Sequence, residues 1–470
     1  MSAANQTEAV AVLESAMDTM IGDMNESLDT IWMLVCAMLV FFMHAGFSLL
    51  EAGTERVKNT QNILAKNLMV VTVGFLCWYV VGYPVALGPG VDANRFAGSK
   101  GSLMDGFWEA KSTFRVWFFQ GCFCATGATI VSGAIAERAR LDGFTMYTVL
   151  MTCAIYPVVI YWGWSGSGIF NYAENGAQKS LVGPPLMDFA GSGLVHLVGG
   201  IGAFCGTLLV GTGVGRWEAE EDFEAHSIPF CVVGTFFLWF GWYGFNPGST
   251  LQMHTASDGF TASLVAVNTT LAPCCSALMV FTLRALVVMP RKLDVGGMCN
   301  GILAGLVSIT GPCAFVKPFE AIIIGLLGGA IYQCASTMMR RAKLDDVVDA
   351  FAVHGACGVW GMLAPGFFGG PVVGGNGVFH GGDQLGAQAF AIVIILIWGV
   401  VLSLAIFVPL RYTGLLRYGD EFQEKMEREH ITMVKAYVER ELRTSGCSSI
   451  GMPPPEALLP AQDAPPNPLQ

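Results

Sequence analysis

Residues 384–410 read QLGAQAFAIVIILIWGVVLSLAIFVPL, a run of 27 residues without Asp, Glu, Lys or Arg. A helix of about 20 such residues crosses the roughly 30 Å of hydrocarbon in a bilayer. Because core helices of soluble proteins are rarely so long and so uniformly apolar, this stretch predicts a transmembrane helix.

Ten further uncharged runs of similar length precede it. The next longest, 444–455, has only 12 residues and is rich in Ser, Gly and Pro. Backbone groups in lipid must bond to one another, and the runs exceed the strands of a membrane β-barrel, so we expect eleven transmembrane helices in an all-α polytopic membrane protein. The ten runs are 31–50, 67–91, 116–136, 143–173, 189–215, 225–257, 259–283, 295–316, 321–339 and 350–382.

The composition agrees with this class. Only 13% of residues are charged, 53% are hydrophobic and the net charge is −11. A disordered chain would be less hydrophobic, and a nucleic-acid binder would need a basic surface, so neither class fits. The 14 cysteines are scattered through apolar stretches without metal-finger spacing and are interpreted as small buried side chains.

The basic residues predict the orientation, because cytoplasmic loops are enriched in Lys and Arg. With the N-terminus outside, 19 of the 25 basic residues fall on the cytoplasmic side, including all seven of the tail. The six that fall outside are Arg95, Lys100, Lys111, Arg115, Lys179 and Lys317. We therefore predict that the N-terminus is out and the C-terminus is in.

The spans divide the chain into repeats. Residues 1–30 are predicted to be extracytoplasmic, residues 31–410 form the eleven-helix domain, and residues 411–470 form a cytoplasmic tail that is disordered after about 446. Repeats 31–215 and 225–382 hold five spans each, so the second is inverted relative to the first, and the last helix is 384–410.

Two histidines occupy matching spans of these repeats. His196 closes the stretch that begins Asp188-Phe-Ala-Gly-Ser, near the entry of span five, and His354 follows Asp349 near the entry of span ten. A lone His on an apolar helix is usually a satisfied core residue, and we interpret His44 in that way, but a matched pair at membrane depth indicates function. Without Cys or carboxylates at ligand spacing, the pair does not predict a metal site.

Aromatic residues form a second group, in Phe119–Phe123, Tyr161–Trp164 and Gly241–Ser249. Rings at span ends are often interfacial belt residues. The alternative is that Trp164, at an outward span end, faces a cation held by its ring quadrupole.

Several motifs carry a resemblance to a known family over about residues 31–417. They closely resemble the ammonium transporter family (Amt/Mep/Rh), and its Amt/Mep branch in particular, apart from Pro247, which stands where the family more usually has Ala. The motifs are Asp188-Phe-Ala-Gly-Ser, Gly241-Trp-Tyr-Gly-Phe-Asn-Pro-Gly-Ser249, Glu51-Ala-Gly-Thr followed by Lys58-Asn-Thr, Gly133-Ala-Ile-Ala-Glu-Arg138 and Val353-His-Gly-Ala-Cys-Gly358.

The resemblance implies a homotrimer with one pore in each subunit, and an outer recruitment site. Phe123, Trp164 and Ser249 would bind the substrate there, and Phe123 and Phe245 would stack as a hydrophobic gate.

The same resemblance implies roles deeper in the pore. His196 and His354 would be the paired pore imidazoles, and Thr310 matches a pore-lining threonine. Asp188 would support the vestibule from a buried position, and Trp242 would support the site.

The resulting hypothesis is a plasma-membrane ammonium transporter. It recruits ammonium, deprotonates it and conducts ammonia past the gate and the histidines, with a separate proton relay. Methylammonium is a candidate second substrate, and a cytoplasmic regulator is a candidate partner of the tail. The alternative is an ammonium sensor with little flux that signals through the tail. An enzyme is not expected, because no nucleophile with a base is evident, and no cofactor or nucleic acid is predicted.

Overall fold

The first helix, α1, spans Ala3–Thr54 and is 52 residues long in the computed structural model. At 1.5 Å per residue this is about 78 Å, far more than a bilayer core requires. Its second half contains the uncharged run 31–50, whereas residues 10–24 are exposed on every side. The segment that precedes the first span is therefore a helical continuation of it.

The structure describes most of the chain up to residue 425 and short pieces beyond it. The described residues are 3–88, 94–98, 112–174, 176–218, 223–288, 293–370, 374–425, 428–429, 432–433 and 436. The disorder predicted after about 446 lies outside the described residues.

The first five-span repeat continues with α2 (Thr60–Cys77) and α3 (Tyr83–Leu87), which a π-helical turn joins into one rod. The third span is α4 (Thr113–Ala134). The fourth consists of α5 (Leu141–Leu150) and α6 (Tyr156–Trp164), again joined by a π-helical turn. The fifth is a π-helix, Ser192–Leu197, followed by α7 (Val198–Val210).

Three short antiparallel strands, β1 (Ser167–Gly168), β2 (Asn171–Glu174) and β3 (Ala177–Lys179), connect the fourth and fifth spans. The uncharged run 143–173 is therefore helical only as far as Trp164.

The second repeat has the same order. It contains α8 (Ile228–Gly248), α9 (Ala256–Leu283), α10 (Val295–Thr310), α11 (Pro318–Arg341) and a π-helix, Phe351–Ala356, that leads into α12 (Cys357–Phe368). The last span is α13 (Gln384–Tyr412). Among the described residues, ten helices are long and apolar enough to cross a membrane, and α10 is a shorter apolar helix. The all-α polytopic membrane architecture is thus confirmed, and each uncharged run has its helix.

Close helix contacts depend on glycine. The first helices of the two repeats, α1 and α8, pack along their length. A Cβ added to Gly46 or to Gly234 would overlap the backbone of the facing helix. Glycine therefore lets the two repeats approach until their backbones touch, as small residues do in membrane proteins.

One end of the bundle carries ion pairs between loops that an odd number of crossings places on the same side. Arg56, after the first span, bonds Glu137 after the third at 2.7 Å. Arg138 lies 2.9 Å and Arg216 3.0 Å from Asp345, which joins the loops after the third, fifth and ninth spans. These loops are the ones predicted to be cytoplasmic.

The opposite end brings together segments predicted to be outside. Arg115, before the third span, pairs with Glu26 before the first. His254, after the sixth span, lies 2.8 Å from Asp29. The alternation agrees with the predicted topology, and which end faces the cytoplasm remains a prediction from the basic residues.

Residues 1–418 form one compact unit and residues 419–470 form another. In the second unit residues 420–425 are helical, and Arg428 pairs with Glu424 at 3.8 Å, one helical turn apart.

Candidate functional site

The two predicted histidines meet in the interior of the helical unit. Nδ1 of His196 lies 3.1 Å from Nδ1 of His354, and the rings are nearly parallel with centroids 5.2 Å apart. Both side chains are buried. One ring must donate and the other accept in such a contact, so the pair shares a single proton between its two Nδ1 atoms.

Each histidine is presented by a π-helix, Ser192–Leu197 or Phe351–Ala356, in which one extra residue per turn redirects the side chains. Gly200, one turn after His196, makes the approach of the two segments close enough. A Cβ there would overlap the backbone of Gly355. Any larger residue at position 200 would force the imidazoles apart.

A carboxylate caps each π-helix, that of Asp188 buried and that of Asp346 half-buried. Asp188 Oδ2 accepts hydrogen bonds from the backbone N–H groups of Gly193 and Leu194 at 3.0 and 2.9 Å. The second π-helix is capped by Asp346, whose oxygens accept from Ala350 and Phe351 at 2.9 and 2.7 Å. Each carboxylate satisfies donors that the start of a helix leaves without partners.

A left-handed residue precedes each π-helix. It is Gly191, with φ of 101°, directly before Ser192, and Asp349, with φ of 59°, two positions before Phe351. Each lies five positions before its histidine. The counterpart of Asp188, eight positions before His196, is therefore Asp346, eight positions before His354, and not the left-handed Asp349.

Burial raises the pKa of both capping carboxyls. That of Asp188 rises to about 6, although the N–H groups of Gly193 and Leu194 counteract the shift. That of Asp346 rises to about 7, because burial is reinforced by the charge of Asp349.

Five rings follow one another through the interior, here called the ring column: Trp164, Phe123, Phe245, His196 and His354. Trp164 meets Phe123 edge-on at 6.2 Å, and Phe123 stacks on Phe245 at 3.9 Å. Phe245 stacks on His196 at 5.4 Å, and His196 on His354 at 5.2 Å. Because α6, α4, α8 and the two π-helices each supply one ring, no single sequence motif contains the ring column.

Trp242 flanks the ring column. Its indole stacks on His196 with centroids 5.1 Å apart and an interplanar angle of 19°. Its Nε1 donates to Thr310 Oγ1 at 2.9 Å, and that hydroxyl donates to the carbonyl of Leu306. Thr310 thus orients Trp242, which in turn packs against the His196 ring.

The outer end of the ring column is less buried. Trp164 is half-buried, and its Nε1 donates to the backbone carbonyl of Asp188 at 3.0 Å. Ser249, one turn beyond Phe245, donates its hydroxyl hydrogen to the Phe245 carbonyl at 2.9 Å. Its oxygen lone pairs therefore remain able to accept a hydrogen bond, as a cationic N–H donor requires.

The family model described as Ammonium Transporter Family matches residues 31–435. The chain belongs to the Ammonium Transporter Family. It is thus a multi-pass membrane protein of a transporter family, as the sequence motifs predicted.

Curated relatives of this family extend over most of the chain. Ammonium transporter Amt2 of Archaeoglobus fulgidus is 41% identical over 348 residues, which cover 73% of this chain and 71% of the relative. Ammonium transporter 3 of Dictyostelium discoideum is 35% identical and covers 83% of this chain and 89% of its own.

Solved structures share the fold. The protein described as Sensor Amt Protein superimposes with a TM-score of 0.76 at 28% identity, covering 86% of this chain and 98% of its own. Mep2 of Candida albicans superimposes with a TM-score of 0.73 at 26% identity, covering 85% and 88%.

All nine residues singled out from the sequence lie in the helical unit. The structure joins eight of them through direct contacts around the ring column, and Ser249 is linked to it through the Phe245 carbonyl. Sequence reasoning missed Asp346, for which the equal eight-residue spacing to each histidine was the available signal. It also gave no role to Glu51, although a carboxylate at the end of an uncharged run was visible.

Proposed function

We propose that the chain recruits ammonium at Trp164, Phe123 and Ser249, deprotonates it, and conducts ammonia past the Phe123–Phe245 gate and the histidine pair. The proton is relayed separately, so that net transport is electrogenic. The ring column supports this proposal, because it is a chain of side chains that offers π faces at one end and two imidazoles at the other.

Chemistry, not size, distinguishes ammonium from potassium at the outer end. Ammonium donates directional hydrogen bonds and potassium donates none. The Ser249 oxygen accepts one such bond while Trp164 and Phe123 offer π faces to the charge.

The interior favours the neutral species. Moving a bare monovalent ion into a medium of low dielectric constant costs on the order of 20 kcal/mol in the idealised limit. The stacked rings of Phe123 and Phe245, both fully buried, offer no compensating charge. Ammonium escapes this cost by giving up its proton, and the shared Nδ1 contact of His196 and His354 is a group that can carry it.

The assembly and location belong to the same proposal. We expect a homotrimer in the plasma membrane, with one conduction path per subunit, and a cytoplasmic regulator that acts on the tail. Methylammonium is expected to follow the same route, since it keeps N–H donors for Ser249.

Electrophysiology of reconstituted protein under opposing ammonium and pH gradients tests the proposal. We expect a current that scales with ammonium and is absent with potassium. Ammonia flux without current would leave conduction of the uncharged gas as the mechanism and contradict the electrogenic one. The absence of both flux and current would contradict transport altogether.

A sensor is the second candidate function, favoured by the structural likeness to a solved protein described as a sensor. Deleting residues 420–470 separates the two functions. A transporter keeps its flux after the deletion, whereas a sensor loses its downstream response and shows little flux before and after.

A further inference from the structure

A small cavity lies against the inner histidine of the ring column. Its volume is about 20 Å³, and a water molecule needs roughly 10–15 Å³ measured in this way. Glu51 and His354 line it, and the remaining walls are apolar, formed by residues such as Phe47, Leu50, Ile130 and Val353. The cavity is therefore large enough for one water molecule beside an imidazole and a carboxylate.

The two histidines differ in their access to this cavity. His196 is completely buried between Trp242 and Phe245, whereas His354 retains 5% of its surface and borders the cavity. Since Nδ1 of His354 is engaged by His196, its Nε2 is the nitrogen left for the water.

Glu51 is held in place by hydrogen bonds to neighbouring side chains. Asn67 Nδ2 donates to its Oε2 at 2.7 Å, and Ser132 Oγ lies 2.9 Å from its Oε1. Two neutral donors stabilise the carboxylate without a direct ion pair, so that it can both accept and release a proton. The charged side chains that face it are Lys66 and Glu55.

A route continues from Glu51 toward the end of α1 that is predicted to be cytoplasmic. Glu55 directly follows the last residue of α1, four positions after Glu51, and is only 1% exposed. Its two carboxylate oxygens have no hydrogen-bond partners among the described residues. Lys66 is buried nearby and donates to the Ala136 carbonyl at 2.7 Å. Buried ionisable groups are costly in a membrane and typical of proton relays there.

We propose that Glu51 is the inner proton-exchange residue of this protein. The Nε2–H bond of protonated His354 breaks, the cavity water takes that proton and releases another to a Glu51 oxygen, and an O–H bond forms there. Glu51 then passes the proton toward Glu55 and the inner face, which restores its carboxylate. This inference rests on the proposed electrogenic function, because a conductor of gas alone needs no inner exchange.

The test compares current with ammonia flux in the same proteoliposomes. E51Q keeps the size and hydrogen-bonding capacity of the side chain but carries no exchangeable carboxyl proton. We expect the ratio of ammonium current to ammonia flux to fall at least tenfold. E51D restores a carboxylate and should recover part of the ratio. The matched control is E137Q, another buried acid at the same end, which pairs with Arg56 and should leave the ratio unchanged.

A second variant guards against misfolding. V348I adds one methyl group, of roughly the size of the water, to the cavity wall and leaves every hydrogen bond of Glu51 intact. We expect the ratio to fall in V348I as well. A normal ratio in both E51Q and V348I would overturn the assignment. Absence of current in the wild type would instead contradict the electrogenic proposal itself, so the two failures are distinguishable.

A separate observation concerns the outer half of α1. From residue 10 to residue 31 one set of exposed apolar residues recurs at alternating intervals of three and four, with Val12, Ile21 and Leu28 outside this set. The positions are Val10, Leu13, Met17, Met20, Met24 and Ile31, with Ser27 completing the pattern. A repeat of this period is buried by a second helix of the same kind in a coiled coil.

The partner helix can come from another copy of this chain, because the charged residues of two parallel copies do not oppose one another. Copies in one membrane share an orientation, so their α1 helices leave it parallel and in register. In this register the flanking positions pair Ala16 with Ile21 and Asp23 with Leu28, so no two acidic groups face each other in these pairs. The stretch has no basic residue to hold it on an anionic membrane surface.

We infer that the outer extension of α1, residues 10–31, forms a parallel coiled coil with other copies of the chain. In detergent-solubilised full-length protein under mild oxidation, M20C should form inter-subunit disulfides at least tenfold more than D18C, which points away from the seam. The wild type measures the background of the native cysteines. Equal cross-linking of M20C and D18C, or none in M20C, would overturn the inference.

Discussion

The two histidine segments of this protein share a backbone and differ in their surroundings. In each, a carboxylate eight positions earlier caps a π-helix, and a left-handed residue lies five positions before the histidine. Yet His196 is enclosed by the rings of Trp242 and Phe245, while His354 borders the cavity that it shares with Glu51.

The difference shows that an inverted repeat determines where the two histidines lie but not which side chains surround them. The pseudosymmetric backbone brings both Nδ1 atoms to one point. The helices around them then give His196 an aromatic environment and His354 access to a buried acid. A symmetric backbone thus gives the two histidines different surroundings, as a proton path with a direction requires.

The largest effect is expected from removing the caps. D188A or D346A leaves two N–H groups without partners, each costing about 1–3 kcal/mol, so stability should fall by about 2–6 kcal/mol. Thermal unfolding in detergent measures the loss. D188N and D346N retain an acceptor and should lose less. A loss of stability in only one of D188A and D346A would show that the two caps are not equivalent.

Removing each imidazole tests whether the pair acts as a unit. H196A or H354A should lower selectivity for ammonium over potassium by about tenfold or more, which corresponds to about 1.4 kcal/mol. Currents carried by the two ions in the same reconstituted sample give this ratio. If both variants keep the selectivity of the wild type, the role assigned to the pair is wrong.

The aromatic side of His196 offers a smaller test. T310V leaves the buried Trp242 Nε1 without an acceptor and should cost about 1–2 kcal/mol, whereas T310S keeps the hydroxyl and should be close to wild type. The melting temperatures of the two variants decide this. Equal stability of T310V and T310S would mean that Trp242 is held by packing alone.

The smallest expected effect is a difference between Asp188 and Asp346 in the pH dependence of stability. The pKa of Asp346 is raised to about 7 in the folded state from an ordinary value of about 3.9. The folded state therefore binds more protons than the unfolded state between these values, and its stability falls as pH rises from about 4 to about 7. D346N should flatten the upper part of this slope more than D188N, since the pKa of Asp188 reaches only about 6. Melting curves across this pH range measure both slopes, and identical slopes would contradict the difference.

Much of the fold and part of the site were predictable. Uncharged runs mark each span, because charges are excluded from hydrocarbon whatever the packing, and His196 and His354 could be paired because their spans correspond. Asp346 was missed because Asp345 and Asp349 are its near neighbours, and only its eight-residue spacing to His354, equal to that of Asp188 to His196, distinguishes it in the sequence. Glu51 was ambiguous for a similar reason, because an acid at the end of an uncharged run fits a span boundary as well as a buried site.

The sequence by itself determined the all-α membrane architecture and which histidines are paired, since the first follows from the cost of polar groups in lipid and the second from the repeat. Only the tertiary structure decided which five rings align and which acid meets His354. Those contacts join residues from separate helices, and the helices reach contact distance only where glycine removes the side chain between their backbones.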